Sequence, residues 1–164
     1  MRSITLQSWR NIFRAGYLKM AKYPHLLPAD CFLWDLWLAI NRGAYSEFQY
    51  DVKVGEGSDP GPGFEDNIRY DAIRLSQRRI DVVGYQAKAI TLFEITTNAG
   101  LTALGQCLAY PKLFRDTYSP DRDVKMHLVT YQFQSDIERV FIEHGIGYTV
   151  IERPEAAPTA EVTP

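Results

Sequence analysis

Between Tyr45 and Val54 apolar and polar positions alternate one for one, with Phe48, Tyr50, Val52 and Val54 set against Glu47, Gln49, Asp51 and Lys53. A period of two predicts a half-buried strand. Residues 80–85 and 89–96 are instead dominated by Ile, Val, Leu, Phe and Thr, the composition of strands in a buried sheet. The turn between them falls near Ala87 and Lys88. After Asn98-Ala99-Gly100, a cap, Leu101, Leu104, Leu108 and Leu113 recur near helical spacing. Helical spacing also marks two earlier segments. Leu6, Trp9, Phe13, Tyr17 and Met20 step by three and four, a stripe that Pro24 and Pro28 end. Asp30 then reads as the N-cap of a helix over residues 31–42 closed by Gly43, with Phe32, Leu33, Leu36, Trp37 and Ile40 facing the core and Trp34 and Leu38 widening that surface.

The rest of the chain completes the pattern. Residues 67–76 fit either a strand or a helix, and residues 125–133 read as a strand. Ser135, with Glu138 three positions on, forms a capping box for a helix carrying Val140, Phe141 and Ile142 and ended by Gly145. Residues 148–151 are the last strand. Helices crossing between strands predict an α/β fold with a mixed central sheet flanked by helices on both sides. The Gly/Pro-rich segment 55–63 is expected to be a mobile loop. Its prolines, and the lack of a helix opening behind it, argue against a phosphate cradle.

Composition narrows the class. At 164 residues, 46% hydrophobic and 23% charged, this is a single globular domain with a substantial core. We divide it into a basic amphipathic segment (1–28), the α/β domain (29–153) and a Pro/Ala/Thr/Glu tail (154–164) that has nothing to bury and is expected to be disordered or partner-bound. Cys31 and Cys107 lie far apart in apolar helical segments, which suits two buried free thiols in a reducing compartment. The apolar run from Cys31 to Ile40 is interrupted by Asp35 and is too short to span a bilayer, and the N-terminus shows no secretory leader. The expected location is cytoplasmic, or inside a viral particle. His25, His127 and His144 are scattered without ligand spacing, and no nucleophile elbow or zinc pattern occurs. A net charge of −2 gives no bulk attraction to nucleic acid, so contact with DNA needs a local patch. Arg69, Arg74, Arg78 and Arg79 supply the best one.

The strongest chemical signal is a conflict. The midpoint of Asp81 and Glu94 falls in the predicted turn, so an antiparallel hairpin closed there sets the two acids opposite each other, Cβ atoms roughly 5 Å apart on one face. Two like charges across an apolar hairpin are destabilising unless a cation or a proton lies between them. On the helix that follows, Gln106 and Tyr110 are four apart and project one turn above the other.

The order Asp81, then Glu94-Ile95-Thr96 on the next strand, then Gln106-Cys107-Leu108-Ala109-Tyr110 on the next helix resembles the PD-(D/E)XK nuclease superfamily, in particular its RecB-like branch. The resemblance runs from the helix near Asp30 to the strand near Val150 and implies a restriction-endonuclease-like fold. It implies Asp81 and Glu94 as catalytic acids that hold Mg²⁺ together with the Ile95 carbonyl. Gln106 and Tyr110 would position the scissile strand or the acid pair. Because the family often carries an acid on its first helix, Asp35 is a candidate third ligand. One departure stands out: the family's lysine position is Thr96, which has no charge. Lys88 has the strand parity of Glu94 but lies about 20 Å along the strand, and Lys112 and Arg79 are the nearest other cations in sequence.

Two functions follow. The first is a nuclease-fold protein of nucleic-acid-processing lineage with weakened or lost phosphodiesterase activity. It would have an assembly role, for example in a phage neck or head-completion complex, binding protein partners or further copies through its basic N-terminal helix and its tail. The alternative is an active Mg²⁺-dependent DNA nuclease using Asp81 and Glu94.

Overall fold

The structure is a computed structural model, and it describes residues 23–41 and 43–155. The amphipathic stripe before Pro24 and most of the C-terminal tail lie outside the described residues. In chain order the elements are α1 (Pro28–Ile40), β1 (Glu47–Val54), α2 (Asp66–Ser76), β2 (Arg78–Tyr85), β3 (Ala89–Ile95), β4 (Asn98–Ala99), α3 (Leu101–Tyr118), β5 (Asp123–Thr130), β6 (Gln132–Phe133), α4 (Ile137–Glu143) and β7 (Gly147–Val150). A five-stranded sheet runs β1-β2-β3-β5-β7, antiparallel across β1, β2 and β3 and parallel from β3 through β5 to β7. Strands β4 and β6 form a separate parallel ribbon beyond the ends of β3 and β5. The fold is therefore a mixed α/β sheet flanked by helices. No helix among the described residues is long and apolar enough to cross a membrane.

Each face of the sheet has its own core. On one, Phe32, Leu33, Trp34, Leu36 and Trp37 of α1 pack with Val82, Phe93, Ile95 and Val129. On the other, Tyr110 and Phe114 of α3 meet Ile80, Val83 and Leu92, while Ala103, Leu104 and Cys107 meet Leu128, Phe141 and Ile146. Trp34, Phe93 and Leu33 are fully buried. Burial of a large apolar side chain contributes on the order of 1.5–3 kcal/mol of transfer free energy.

Several boundaries depart from the pattern read off the chain. Helix α1 starts at Pro28, not after Asp30, because proline at the first helical positions has the right φ and needs no N–H partner there. Asp30 consequently sits inside the first turn and is not the cap. At the other end the helix stops at Ile40, where the backbone N–H and side-chain amide of Asn41 both donate to the Trp37 carbonyl. Residues 67–76 are helical, within α2, and none of that helix is buried. The loop before it is tied down: the Ser58 N–H donates to Ser76 Oγ, Gln77 donates to the Gly55 carbonyl, and Arg69 holds Asp59. The buried stripe of α3 is Ala103, Leu104, Cys107, Tyr110 and Phe114; of the expected leucines Leu104 is buried, whereas Leu101 and Leu108 are exposed. Small residues on the inner side let this helix sit close to the sheet. The strand expected over 125–133 is divided at Tyr131 into β5 and β6. Ser135 does not cap α4; Asp136 stands at that position with φ +65° and makes no capping bond, and Glu138 accepts from Tyr148 instead.

The alternation in β1 is real, yet its four apolar residues serve two cores. Phe48 and Tyr50 pack on the α1 side, Val52 and Val54 on the α3 side. The strand turns over at Asp51, whose φ is +55°. In β2 the same change of side falls between Val82 and Ile80. Asp81 lies at that turnover.

Candidate active site

The hairpin register brings the two acids together. Strand β2 pairs Tyr85 with Ile90, Gly84 with Thr91, Val83 with Leu92 and Val82 with Phe93. One further step sets Asp81 across from Glu94, where β2 turns over and leaves β3. Asp81 Oδ2 accepts the Ile95 N–H at 2.8 Å. In an extended strand a residue's N–H and C=O point to the same side, so the Ile95 carbonyl is directed toward the Asp81 side as well. Glu94 is buried, and its Oε2 has no hydrogen-bond partner among the described residues.

A third acid stands near the pair, and it is Asp30, not Asp35. Because α1 begins at Pro28, Asp30 reaches the end of β3, where the Thr97 N–H meets it. Burial lifts the Asp30 pKa to about 6, against the pull of that N–H. Asp35, five residues on, faces elsewhere and accepts from Tyr23 Oη at 2.6 Å. Burial is also the main reason the Asp81 and Glu94 pKa values are raised. Glu94 is pushed further by the charges of Asp81 and Asp30, and Asp81 by those of Asp30 and Asp51, while the Ile95 N–H pulls Asp81 down. All three pKa values are thus raised, Glu94 the most and Asp30 the least.

Helix α3 supplies the amide and the phenol. In the orientation that satisfies both ends of the Gln106 amide, its nitrogen donates to Glu94 Oε1 at 3.0 Å and to the Thr102 carbonyl at 3.2 Å, and its oxygen accepts from Tyr110 Oη at 2.9 Å. This chain fixes one oxygen of Glu94 and leaves the other open. A cleft of ≈ 270 Å³ borders Glu94, Thr96, Gln106 and Gln134. The end of the Gln134 side chain packs against Gly100 at the head of α3, so a Cβ there would require Gln134 to move.

No Lys or Arg nitrogen among the described residues comes within 4.0 Å of Asp81 or Glu94. Thr96 uses its N–H on the Val129 carbonyl, continuing the sheet. Lys88 lies in the hairpin turn at the far end of β3, and Lys112 pairs with Asp116 at 2.7 Å. Arg79 is bound to Asp51 at 2.8–2.9 Å, with His25 beside them. Arg69 is bound by Asp59 and Asp66. Of the four basic residues singled out in the sequence, only Arg74 and Arg78 form no ion pair among the described residues.

Do these groups suit a divalent cation? No three or more His, Cys, Asp or Glu side chains among the described residues are grouped to hold a metal ion. Mg²⁺ asks for less: it keeps several waters and takes one or two carboxylates, with substrate phosphate completing the shell. A buried carboxylate oxygen without a donor, facing a second carboxyl, is a donor set of that kind.

No protein-family model matches the chain, and no curated protein matches it in sequence. Among solved structures the chain is similar to EndoMS in complex with dsDNA (18% identity, TM-score 0.45, 82% of this chain and 50% of that one). It is similar to a repair endonuclease from Pyrococcus abyssi (17%, 0.47, 82% and 50%). It is also similar to a protein of unknown function, AF1548 (17%, 0.44, 79% and 61%). This chain spans half the length of the first two. Likeness at these identities concerns the path of the chain and not its chemistry.

Proposed function

We propose that the chain is a PD-(D/E)XK nuclease-fold protein that binds a divalent cation, Mg²⁺, between Asp81 and Glu94 and hydrolyses DNA phosphodiesters slowly. One observation carries the reading: a buried carboxyl, Glu94, and a half-buried one, Asp81, are brought together with no cation among the described residues to compensate them. Such a pair destabilises the fold at neutral pH unless a proton or a cation neutralises it. A purely structural domain gains nothing by keeping it.

The division of labour follows from the hydrogen bonds. The Ile95 N–H fixes one oxygen of Asp81, and Gln106 fixes one oxygen of Glu94. Each carboxyl thus keeps a remaining oxygen that would hold the cation, with the Ile95 carbonyl as a further donor. Asp30 adds a third negative charge that favours a cation in the same place. Tyr110 orients Gln106 and, with it, Glu94. When bound, the cation supplies charge to a phosphate oxygen and makes water more acidic. Thr96 has no ammonium to offer, so the 10²–10⁴-fold that a positioned acid–base group typically contributes is missing. Slow turnover is the expected consequence.

The test is cleavage of plasmid and oligonucleotide DNA with Mg²⁺ or Mn²⁺. Activity that EDTA and Asp81→Ala both remove supports the reading; wild-type protein that stays inert with both metals on all substrates refutes it. A second reading, a nuclease-fold assembly component without chemistry, is favoured by the absence of any Lys or Arg beside the acids among the described residues. Its phage neck or head-completion form depends on the two chain ends. Recovery of the full chain as a lone monomer, with no partner recruited through residues 1–28 or 154–164, counts against it.

A further inference from the structure

The cleft at Glu94 is continued by a second of ≈ 340 Å³, lined by Arg78, Gly105, Ala109, Tyr110 and Leu113. The two share Thr102 and Gln106. Thr102, Gly105, Gln106 and Ala109 lie three and four apart, so they form one strip of α3. The strip is low: a Cβ placed on Gly105 meets nothing within 4 Å. A shallow groove with a floor of small side chains thus runs from the acid pair toward the start of β2.

Arg78 is the one cation among the residues bordering either cleft. It is exposed, it opens β2 opposite Val54, and its charge is felt at the Tyr110 phenol. Its neighbour Arg79 is committed to Asp51. In a chain of net charge −2 a single placed guanidinium matters more than the bulk field. Arg78 is three residues from Asp81, about 10 Å along the strand.

We infer that Arg78 grips a backbone phosphate of the DNA strand near the one held at the acids, and that the strand follows the groove along α3. Arg78 is thereby a positioning residue that fixes where on the strand the acids act. The inference rests on the nucleic-acid reading above, but not on catalysis. Guanidinium is suited to the task because its planar fork takes two oxygens of one phosphate.

The test is binding of a short fluorescent DNA duplex to the full chain, with Ca²⁺ in place of Mg²⁺, at several salt concentrations. The proteins are wild type, Arg78→Ala, Arg78→Lys and Lys88→Ala, which makes the same charge change at the far end of β3. We expect Arg78→Ala to weaken binding about fivefold or more at low salt and to reduce the slope of log K against log salt by about 0.9, one phosphate contact. Arg78→Lys should restore the slope, and Lys88→Ala should leave it unchanged. Equal effects of Arg78→Ala and Lys88→Ala, or none from either, overturn the inference, with thermal unfolding confirming that both variants fold. Wild-type protein that binds with the full slope yet never cleaves refutes the proposed hydrolysis and leaves Arg78 in place. Wild-type protein that binds no DNA refutes both.

Discussion

Replacing Glu94 with glutamine is expected to make the metal-free protein more stable, against the usual direction for a buried polar site. Two unit charges about 5 Å apart repel by about 3 kcal/mol at an effective dielectric of 20. The fold avoids that repulsion by keeping a proton, and both pKa values are raised, mainly by burial. In the unfolded chain the same carboxyls ionise near pH 4. An acid raised in the folded state contributes its full stability below the unfolded pKa and loses it as the pH climbs toward the folded one. Each retained proton then removes about 1.4 kcal/mol per pH unit. For a Glu94 that stays protonated from about pH 4.3 to pH 7, the loss approaches 4 kcal/mol. Glutamine needs no proton, keeps an oxygen for Gln106 and turns an N–H toward Asp81. Urea unfolding in EDTA from pH 4 to pH 8 should show the variant near wild type at pH 4 and about 2–4 kcal/mol more stable at pH 7. A difference that stays flat with pH, or a variant less stable at pH 7, refutes the buried like-charge pair.

Two further outcomes follow. Asp30→Asn should flatten the loss of metal-free stability between about pH 4 and pH 6, because the folded pKa of Asp30 is raised to about 6. It should also weaken Mn²⁺ binding about tenfold if Asp30 supports the site from just outside it; Mn²⁺ titration measures the second effect and pH-dependent unfolding the first. Gly57→Ala should destabilise by at least about 2 kcal/mol, because Gly57 has φ +73° and an added Cβ would lie 2.2 Å from the Ile73 carbonyl. Hydrogen exchange at the Ser58 amide, held by Ser76, should rise with it.

The sequence carried more of the site than of its surroundings. The sum of positions 81 and 94 equals that of every observed β2–β3 pair, because a hairpin register depends only on where the turn closes, and the turn residues near Ala87 were legible. Gln106 and Tyr110 were legible for the same local reason, helical spacing. What stayed hidden depends on tertiary context. Asp30 reads as a cap by residue type, and only the earlier start at Pro28 turns it toward β3; the signal was available in the Pro28 position itself. The turnover at Asp51 has no signature, since aspartate at positive φ is set by its neighbours, here Arg79 and His25. Likewise the arginines look alike in sequence. Only the packing tells Arg69 and Arg79, bound to acids, from Arg78, which borders a groove.

The central claim is that Asp81 and Glu94 are kept together to hold a divalent cation. Calorimetric titration of Mn²⁺ into metal-free wild type and Asp81→Asn at pH 7 tests it most directly. One cation should bind per wild-type chain, with release of protons from the pair, and the variant should lose that binding. Identical isotherms for the two proteins, or no heat with wild type, would contradict it.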